Sequence, residues 1–365
     1  MGGWYVNAVG LPAGKPVEFW TENDRISFQP VAGAEALTTG GYVLPGLVDA
    51  HTHPGAQTPR GPLDEILLRK DLEAHGKAGV TALRVAGAPR RLPAWAARAS
   101  DLPRVVGGSP WLFTPGMFFA GWGREVSDAD LASAAVEEAL AGDGWVKLRG
   151  DFIVDEVTYA DPPLLAEQVL CETVQRVHAV GGRVAIHATH AEACRRAVAA
   201  GVDSLEHRLW LDHALLPTMA VQGTALTPTH TVWARQLEAI RNELRSPARE
   251  WFLEGYARLG PLTVAADAAG VTILAGTDSR PQGSIAEEVR HMVAGGLPAS
   301  VALGAACWRA RAFFGLPGIE HGAPSDFVIF DRDPLEDLDV LAHPTHVVLN
   351  GRLLNGRYGF GCPDL

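Results

Sequence analysis

At 365 residues the chain has room for one barrel of about 250 residues and a smaller companion domain. A formal net charge of −11 argues against a nucleic-acid surface, and no run approaches the roughly 18 apolar residues of a membrane span. The 47% hydrophobic and 20% charged content is that of a soluble globular protein. No basic segment followed by an apolar core opens the sequence, and Cys171, Cys194, Cys307 and Cys362 lack metal-ligand spacing. A cytoplasmic protein with reduced thiols is therefore expected.

The first 45 residues read as short strands (Trp4-Tyr5-Val6, Val17 to Trp20, Arg25 to Phe28) punctuated by Gly and Pro. An apolar strand over 42–49 follows and delivers Asp49-Ala50-His51-Thr52-His53. Alternate strand residues share a face, so His51 and His53 can reach one metal from one strand end. Further strands are predicted near 80–86, 104–108, 145–149, 183–187, 203–206, 224–227 and 272–276. Helical patterns alternate with them, the mark of parallel βαβ construction. Ser127 with Asp130, Asp161-Pro162 and Ser246-Pro247 signal helix starts. The segment 232–269 is too long for a simple connection and predicts a helical excursion over a barrel mouth. Residues 111–122 pack five aromatics between Gly and Pro, which suggests an apolar pocket wall or lid, with core packing as the alternative. Near the end, Phe327 to Phe330 and His346 to Leu349 are strands, and Asn350-Gly351 is a hairpin signal. The expected organisation is a barrel over 46–317 and one small β-sandwich built from 1–45 and 318–365.

The strand-end His51-Thr52-His53 after Pro45-Gly46 resembles the amidohydrolase superfamily, metal-dependent hydrolases on a (β/α)8 TIM barrel of the α/β class. So do Gly144 to Leu148 with Lys147, Val184 to Ala188 with His187, Gly201 to His207, Ile273 to Asp278, and Gly322 to Ile329. Among subfamilies the resemblance is greatest to the imidazolonepropionase-like and prolidase-like amidohydrolases. It implies a divalent-metal centre, zinc first, with iron, manganese or nickel as alternatives. His51, His53 and Asp278 would hold one ion, His187 and His207 a second, and a carboxylated Lys147 would bridge them. A single ion with Lys147 in a salt bridge is the alternative.

The implied reaction is hydrolysis of an amide, cyclic amide or peptide C–N bond by metal-activated hydroxide, with Asp278 as proton shuttle. A lactonase or phosphotriesterase would use the same metals, and a non-catalytic barrel relative would be expected to have lost ligands. The substrate is expected to be a small molecule or short peptide; a homo-oligomer is compatible, and neither nucleic acid nor membrane is expected as partner. Candidate substrate contacts are His190, His230, Arg208, Phe118, Phe119 and Trp122. The plain alternatives are a helix start for His190, a loop position for His230, a structural ion pair for Arg208 and core packing for the aromatics. Related sequences often carry Gly-Gly-His in the loop after the third strand; this chain has aromatics there instead.

Overall fold

A computed structural model describes residues 3–58, 60–153, 159 and 161–356, with the side chains of 355 and 356 excepted. Cys362 lies outside the described residues. Strands are β1 (Trp4–Gly10), β2 (Lys15–Glu22), β3 (Arg25–Ser27), β4 (Glu35–Thr38), β5 (Tyr42–Pro45), β6 (Leu47–Thr52), β7 (Val80–Val85), β8 (Arg104–Gly107), β9 (Trp111–Phe113), β10 (Arg124–Glu125), β11 (Trp145–Arg149), β12 (Arg183–Ala188), β13 (Ser204–His207), β14 (Ala225–Thr227), β15 (Phe327–Phe330), β16 (His346–Leu349) and β17 (Arg352–Gly356). Helices are α1 (Glu65–Lys77), α2 (Ala94–Arg98), α3 (Leu131–Ala141), α4 (Glu167–Ala179), α5 (Ala191–Ala200), α6 (Leu216–Gln222), α7 (His230–Arg241), α8 (Pro247–Ala268), α9 (Ile285–Ala294), α10 (Ala299–Ala305) and α11 (Trp308–Phe313).

The architecture is α/β and TIM-barrel-like. Two parallel runs, β6-β7-β8 and β10-β9-β11-β12-β13-β14, alternate with helices. The segment expected as strand 272–276 makes an isolated bridge, Leu226 to Ile273, rather than a named strand. It still threads between the runs: Leu274 N donates to Leu226 O, and Ala50 N to Ala275 O at 2.7 Å. Gly276 permits this approach, because a Cβ there would lie 2.5 Å from the Cβ of His51. Trp111–Phe113, read from sequence as part of a loop, is a strand beside the one that carries Lys147. Three residues are too few to show strand periodicity.

Both chain ends build the other layer. Hydrogen bonds join all eight of its strands into one mixed sheet, ordered β17-β16-β15-β5-β1-β2-β3 with β4 beside β1. The single strand expected over 42–49 is interrupted at Gly46: β5 joins this sheet, and β6 starts the barrel-like run. A Cβ at Gly46 would stand 2.1 Å from the Thr81 hydroxyl, so the crossover needs glycine. Asn350 and Gly351 both take positive φ and turn β16 into β17, as their hairpin signal predicts.

Helix starts divide. Ser246 caps α8 by accepting from Arg249 N, with Pro247 at the first helical position. Asp161-Pro162 does not begin a helix; α4 starts at Glu167, because Leu164 first bridges Asp151 and Leu165 is buried in the core. Ser127 Oγ bonds the Asp130 carboxylate and α3 begins after that acid. The predicted excursion is α7 and α8, whose Trp233, Leu237, Phe252 and Leu259 pack with Leu209. No helix among the described residues is long and apolar enough to cross a membrane.

Candidate metal centre

Parallel strands end at one rim, where barrel sites are built. β6 carries His51 and leads directly into His53 there, β11 carries Lys147, β12 His187, β13 His207, and Asp278 follows the 272–276 segment. His51, His53 and Asp278 have ligand atoms within 4.8 Å of one another. The other two histidines are close: the His51 and His207 rings lie 4.7 Å apart, and His187 and His207 4.4 Å. Left-handed backbone at non-glycine residues concentrates here, at His207, Arg208, Thr229 and Asp278. Such strain persists only where surrounding structure imposes it, and it clusters at working sites.

Each histidine is held through one ring nitrogen. His51 Nδ1 donates to Glu206 at 2.5 Å, and His53 Nδ1 to the Gly87 carbonyl at 2.9 Å. His187 Nε2 lies 3.3 Å from Asp151, and His207 Nδ1 2.9 Å from the Thr229 hydroxyl. The opposite nitrogen of each ring is left for another partner. His53 Nε2 faces Asp278 at 3.2 Å, whereas His51 Nε2 is buried with no hydrogen-bond partner, and so is the Lys147 ammonium nitrogen. Second partners that fix tautomer and ring plane are the usual support of metal-bound imidazoles. The orphaned His51 Nε2 beside them, a lone pair with no donor, is what a divalent cation would satisfy. The residues present therefore fit a metal.

Protonation agrees. Burial, reinforced by Lys147, pushes His51 down to about 4, and burial with Arg149 does the same to His187. His207 is driven well below the ordinary imidazole range by burial and its neighbouring histidines. All three are neutral at pH 7, the form that binds metal. Burial lowers Lys147 to about 7 against the pull of Glu206. Burial would raise Asp278, but His51, His53 and Lys147 outweigh it and keep the carboxyl below its ordinary value.

The supporting groups Glu206, Asp151, Thr229 and Gly87 were not anticipated. Glu206 had a signal, an acid inside an otherwise apolar strand end; the others have none short of the fold. Glu206 also accepts from Arg84 at 2.6 Å and from Ser204 Oγ at 2.5 Å, all fully buried. Of the candidate substrate contacts, His190 stands at the N-cap of α5, its Nδ1 accepting from Glu192 N. His230 Nε2 meets Thr263 Oγ1 at 3.0 Å on α8. Arg208 is fully buried and donates to the same hydroxyl and to Leu259 O. Phe118 and Trp122 stack at 5.3 Å, Phe119 is 5.2 Å from Phe118, and Trp111 connects both Phe118 and Trp122 to the His53 ring, 5.0 Å away. The aromatic segment thus reaches the metal-ligand candidates through a strand residue.

Parallel strands that converge on histidines and an acid define a hydrolase-type α/β centre. Residues 42–354 match the profile of the amidohydrolase family. An uncharacterized protein of Mycobacterium tuberculosis is 36% identical over 359 residues, 95% of each chain. The ochratoxinase of Aspergillus niger is 32% identical over 176 residues, 44% of this chain and 35% of that one. Among solved structures, a Xaa-Pro dipeptidase with bound methionine in its active site superposes with a TM-score of 0.83 at 23% identity, covering 96% of this chain and 99% of the other. The A. niger ochratoxinase structure also gives 0.83, at 20% identity over 97% and 96%. The chain belongs to the amidohydrolase family, enzymes that act on carbon–nitrogen bonds.

Proposed function

We propose that this enzyme hydrolyses an amide, cyclic amide or peptide bond at a divalent-metal centre held by His51, His53, Asp278, His187, His207 and a carboxylated Lys147. The observation that carries this reading is the set of four histidines, each pinned through one ring nitrogen, with His51 Nε2 buried without a partner and His53 Nε2 turned to Asp278. When bound, the metal supplies an acidified water and a polarised carbonyl at neutral pH. Zinc suits these donors, as do iron, manganese and nickel. Asp278, ionised at neutral pH, accepts the nucleophile's proton and returns it to the leaving nitrogen. Lys147 at about 7 is substantially neutral; its amine can bond to carbon dioxide and release a proton, which creates an anionic oxygen ligand in place of a buried cation.

The barrel is read as a closed (β/α)8 unit over 46–317, with 1–45 and 318–365 forming the β-sandwich domain. Phe118, Phe119 and Trp122 are assigned to the apolar side of the pocket. His190, His230 and Arg208 are the polar candidates, and each is already engaged by protein groups. Free thiols at Cys171, Cys194 and Cys307 support a reducing, cytoplasmic setting. The Xaa-Pro dipeptidase and the ochratoxinase support a substrate that is a short peptide or a small molecule.

The test is to strip the protein with a chelator, reload it with zinc, manganese, nickel or iron, and screen acyl-amino acids, dipeptides, cyclic amides and lactones. Metal-dependent release of an amine is the expected result. Turnover of lactones alone would replace the amidase with the lactonase reading, and no tightly bound metal together with no metal-stimulated activity would reject both.

A further inference from the structure

We propose that Asp71 is a positioning residue that fixes the distance between His53 and Asp278 by clasping the two loops that leave them. The inference deepens the metal-hydrolase reading and rests on it. Asp71 lies on the buried face of α1 and is 4% exposed. Its carboxylate serves both loops. Oδ2 accepts from Gly55 N at 2.8 Å, two residues beyond His53. Both oxygens accept from Arg280, two residues beyond Asp278: Nη1 at 2.9 Å and Nη2 at 2.6 Å. Arg280 Nη1 also donates to the Ala56 carbonyl at 3.2 Å, so the guanidinium touches the His53 loop directly. One bidentate pair thus joins, at matching steps, the two segments whose metal-ligand candidates, His53 Nε2 and Asp278, face each other at 3.2 Å.

The backbone on both sides calls for such a hold. Asp278 has a left-handed φ, which persists only where its surroundings impose it. Its N–H donates to the His51 carbonyl at 2.8 Å and anchors the segment up to that point; Arg280 anchors it beyond. Gly55 also has a positive φ, and a Cβ there would lie 2.8 Å from Leu63 and 2.9 Å from Leu68, so the His53 loop is pressed against α1. One helical turn after Asp71, His75 Nε2 donates to Gln282 Oε1 at 2.8 Å. The same oxygen accepts from the hydroxyl of Thr52, which stands between His51 and His53. One face of α1 therefore meets the loop after Asp278 twice. Attaching the helix does not require the ion pair, because Leu68 and Leu72 on that face are fully buried in the core. A buried pair often adds little stability over apolar residues of the same volume; its directional bonds specify one arrangement instead. The arrangement specified here is that of His53 against Asp278, two of the three side chains whose ligand atoms lie within 4.8 Å of one another.

The experiment titrates the metal-free protein with cobalt(II) alone. Chelator competition reads the affinity, visible absorption at saturation reads the ligand geometry, and melting temperature is followed separately. Wild type is compared with Arg280→Met, Arg280→Lys, Asp71→Asn and the double variant Asp71→Asn/Arg280→Met. Asp267→Asn, which breaks the ion pair to Arg309 at the other end of the 272–276 segment, controls for lost stability alone. Cobalt affinity is expected to weaken about tenfold or more in Arg280→Met and in Asp71→Asn, the scale of losing an outer support of a metal ligand, with an altered spectrum. Arg280→Lys, which keeps the charge and loses the fork, should fall between these and wild type. The double variant should bind within about twofold of the weaker single variant, because the two halves of one clasp are lost only once. Asp267→Asn should bind as wild type does. Affinity and spectrum unchanged in folded Arg280→Met and Asp71→Asn, whatever their melting temperatures, overturn the inference and leave the metal hydrolase standing. An equal loss in Asp267→Asn does the same. A wild type that binds neither cobalt nor zinc overturns both. If Asp71→Asn fails to fold, Arg280→Met decides, since it changes a partly exposed side chain.

Discussion

Replacing Glu206 by Gln keeps the shape of a fully buried side chain and removes its charge. Two consequences can be separated. The amide offers one oxygen where two carboxylate oxygens accepted; with that oxygen turned to Arg84, an NH2 group faces His51 Nδ1, the Nδ1–H tautomer is no longer fixed, and Nε2 is no longer reliably presented to a metal. Arg84 keeps its bond to the Ala50 carbonyl at 2.7 Å but loses its counter-ion while remaining buried. The first effect should weaken metal affinity about 10–100-fold, the usual result of losing such a support. The second should destabilise the metal-free protein by about 3–5 kcal/mol, the penalty for orphaning one partner of a buried pair. Competitive chelator titration reads the first, and denaturant unfolding of the metal-free protein reads the second. Adding Arg84→Met to Glu206→Gln should recover part of the stability and none of the affinity. Metal affinity within twofold of wild type in the single variant would refute the supporting role of Glu206. Full recovery of affinity in the double variant would show that Arg84, not His51, transmits the effect.

Asp278→Asn retains an oxygen and loses the proton acceptor, so metal-loaded turnover should fall by at least about 10²-fold; a wild-type rate would end the shuttle assignment. Phe118→Ala should cut efficiency toward a bulky apolar substrate roughly tenfold or more, from about 1.5–3 kcal/mol of lost contact, and affect a small substrate less. An unchanged ratio with a lowered melting temperature would make Phe118 core alone. The metal-free protein should lose stability as pH falls. His51 and His187 titrate at about 4 when folded against 6.5 ordinarily, so between those values the unfolded chain binds protons that the folded one refuses. Each contributes on the order of 3 kcal/mol, fully present above about pH 6.5 and lost toward pH 4. A flat urea midpoint across that window would contradict the burial of these rings.

Much of this was legible because local rules were obeyed. The strands over 145–149 and 183–187 are apolar and short, and their chemistry-bearing residues fall at the end that parallel packing brings together. The Ser246-Pro247 start and the Asn350-Gly351 turn rest on backbone chemistry that tertiary structure leaves intact. The misreadings have the opposite cause. Asp161-Pro162 looks like a helix start, but pairing of Leu164 with Asp151 and burial of Leu165 hold the following residues extended. Trp111–Phe113 looks like loop because its strand character comes from β11, not from its own pattern. The ion network of Glu206, Arg84 and Ser204 joins residues from two strands, and no spacing announces a contact between positions 122 apart.

The crossover at Gly46 has a consequence for how the chain is made. β5 lies between β1 and β15, and only one residue separates it from the strand that carries His51 and His53. On the ribosome the first histidines emerge early, but β15, which pairs along all of β5, is translated nearly 280 residues later. Until then, the tether of the first ligand strand has one open edge. The aromatic segment, β11 and β12 can assemble in the meantime. The candidate metal site is thus expected to become rigid only after β15 is made, although His51 and His53 precede that strand by more than 270 residues.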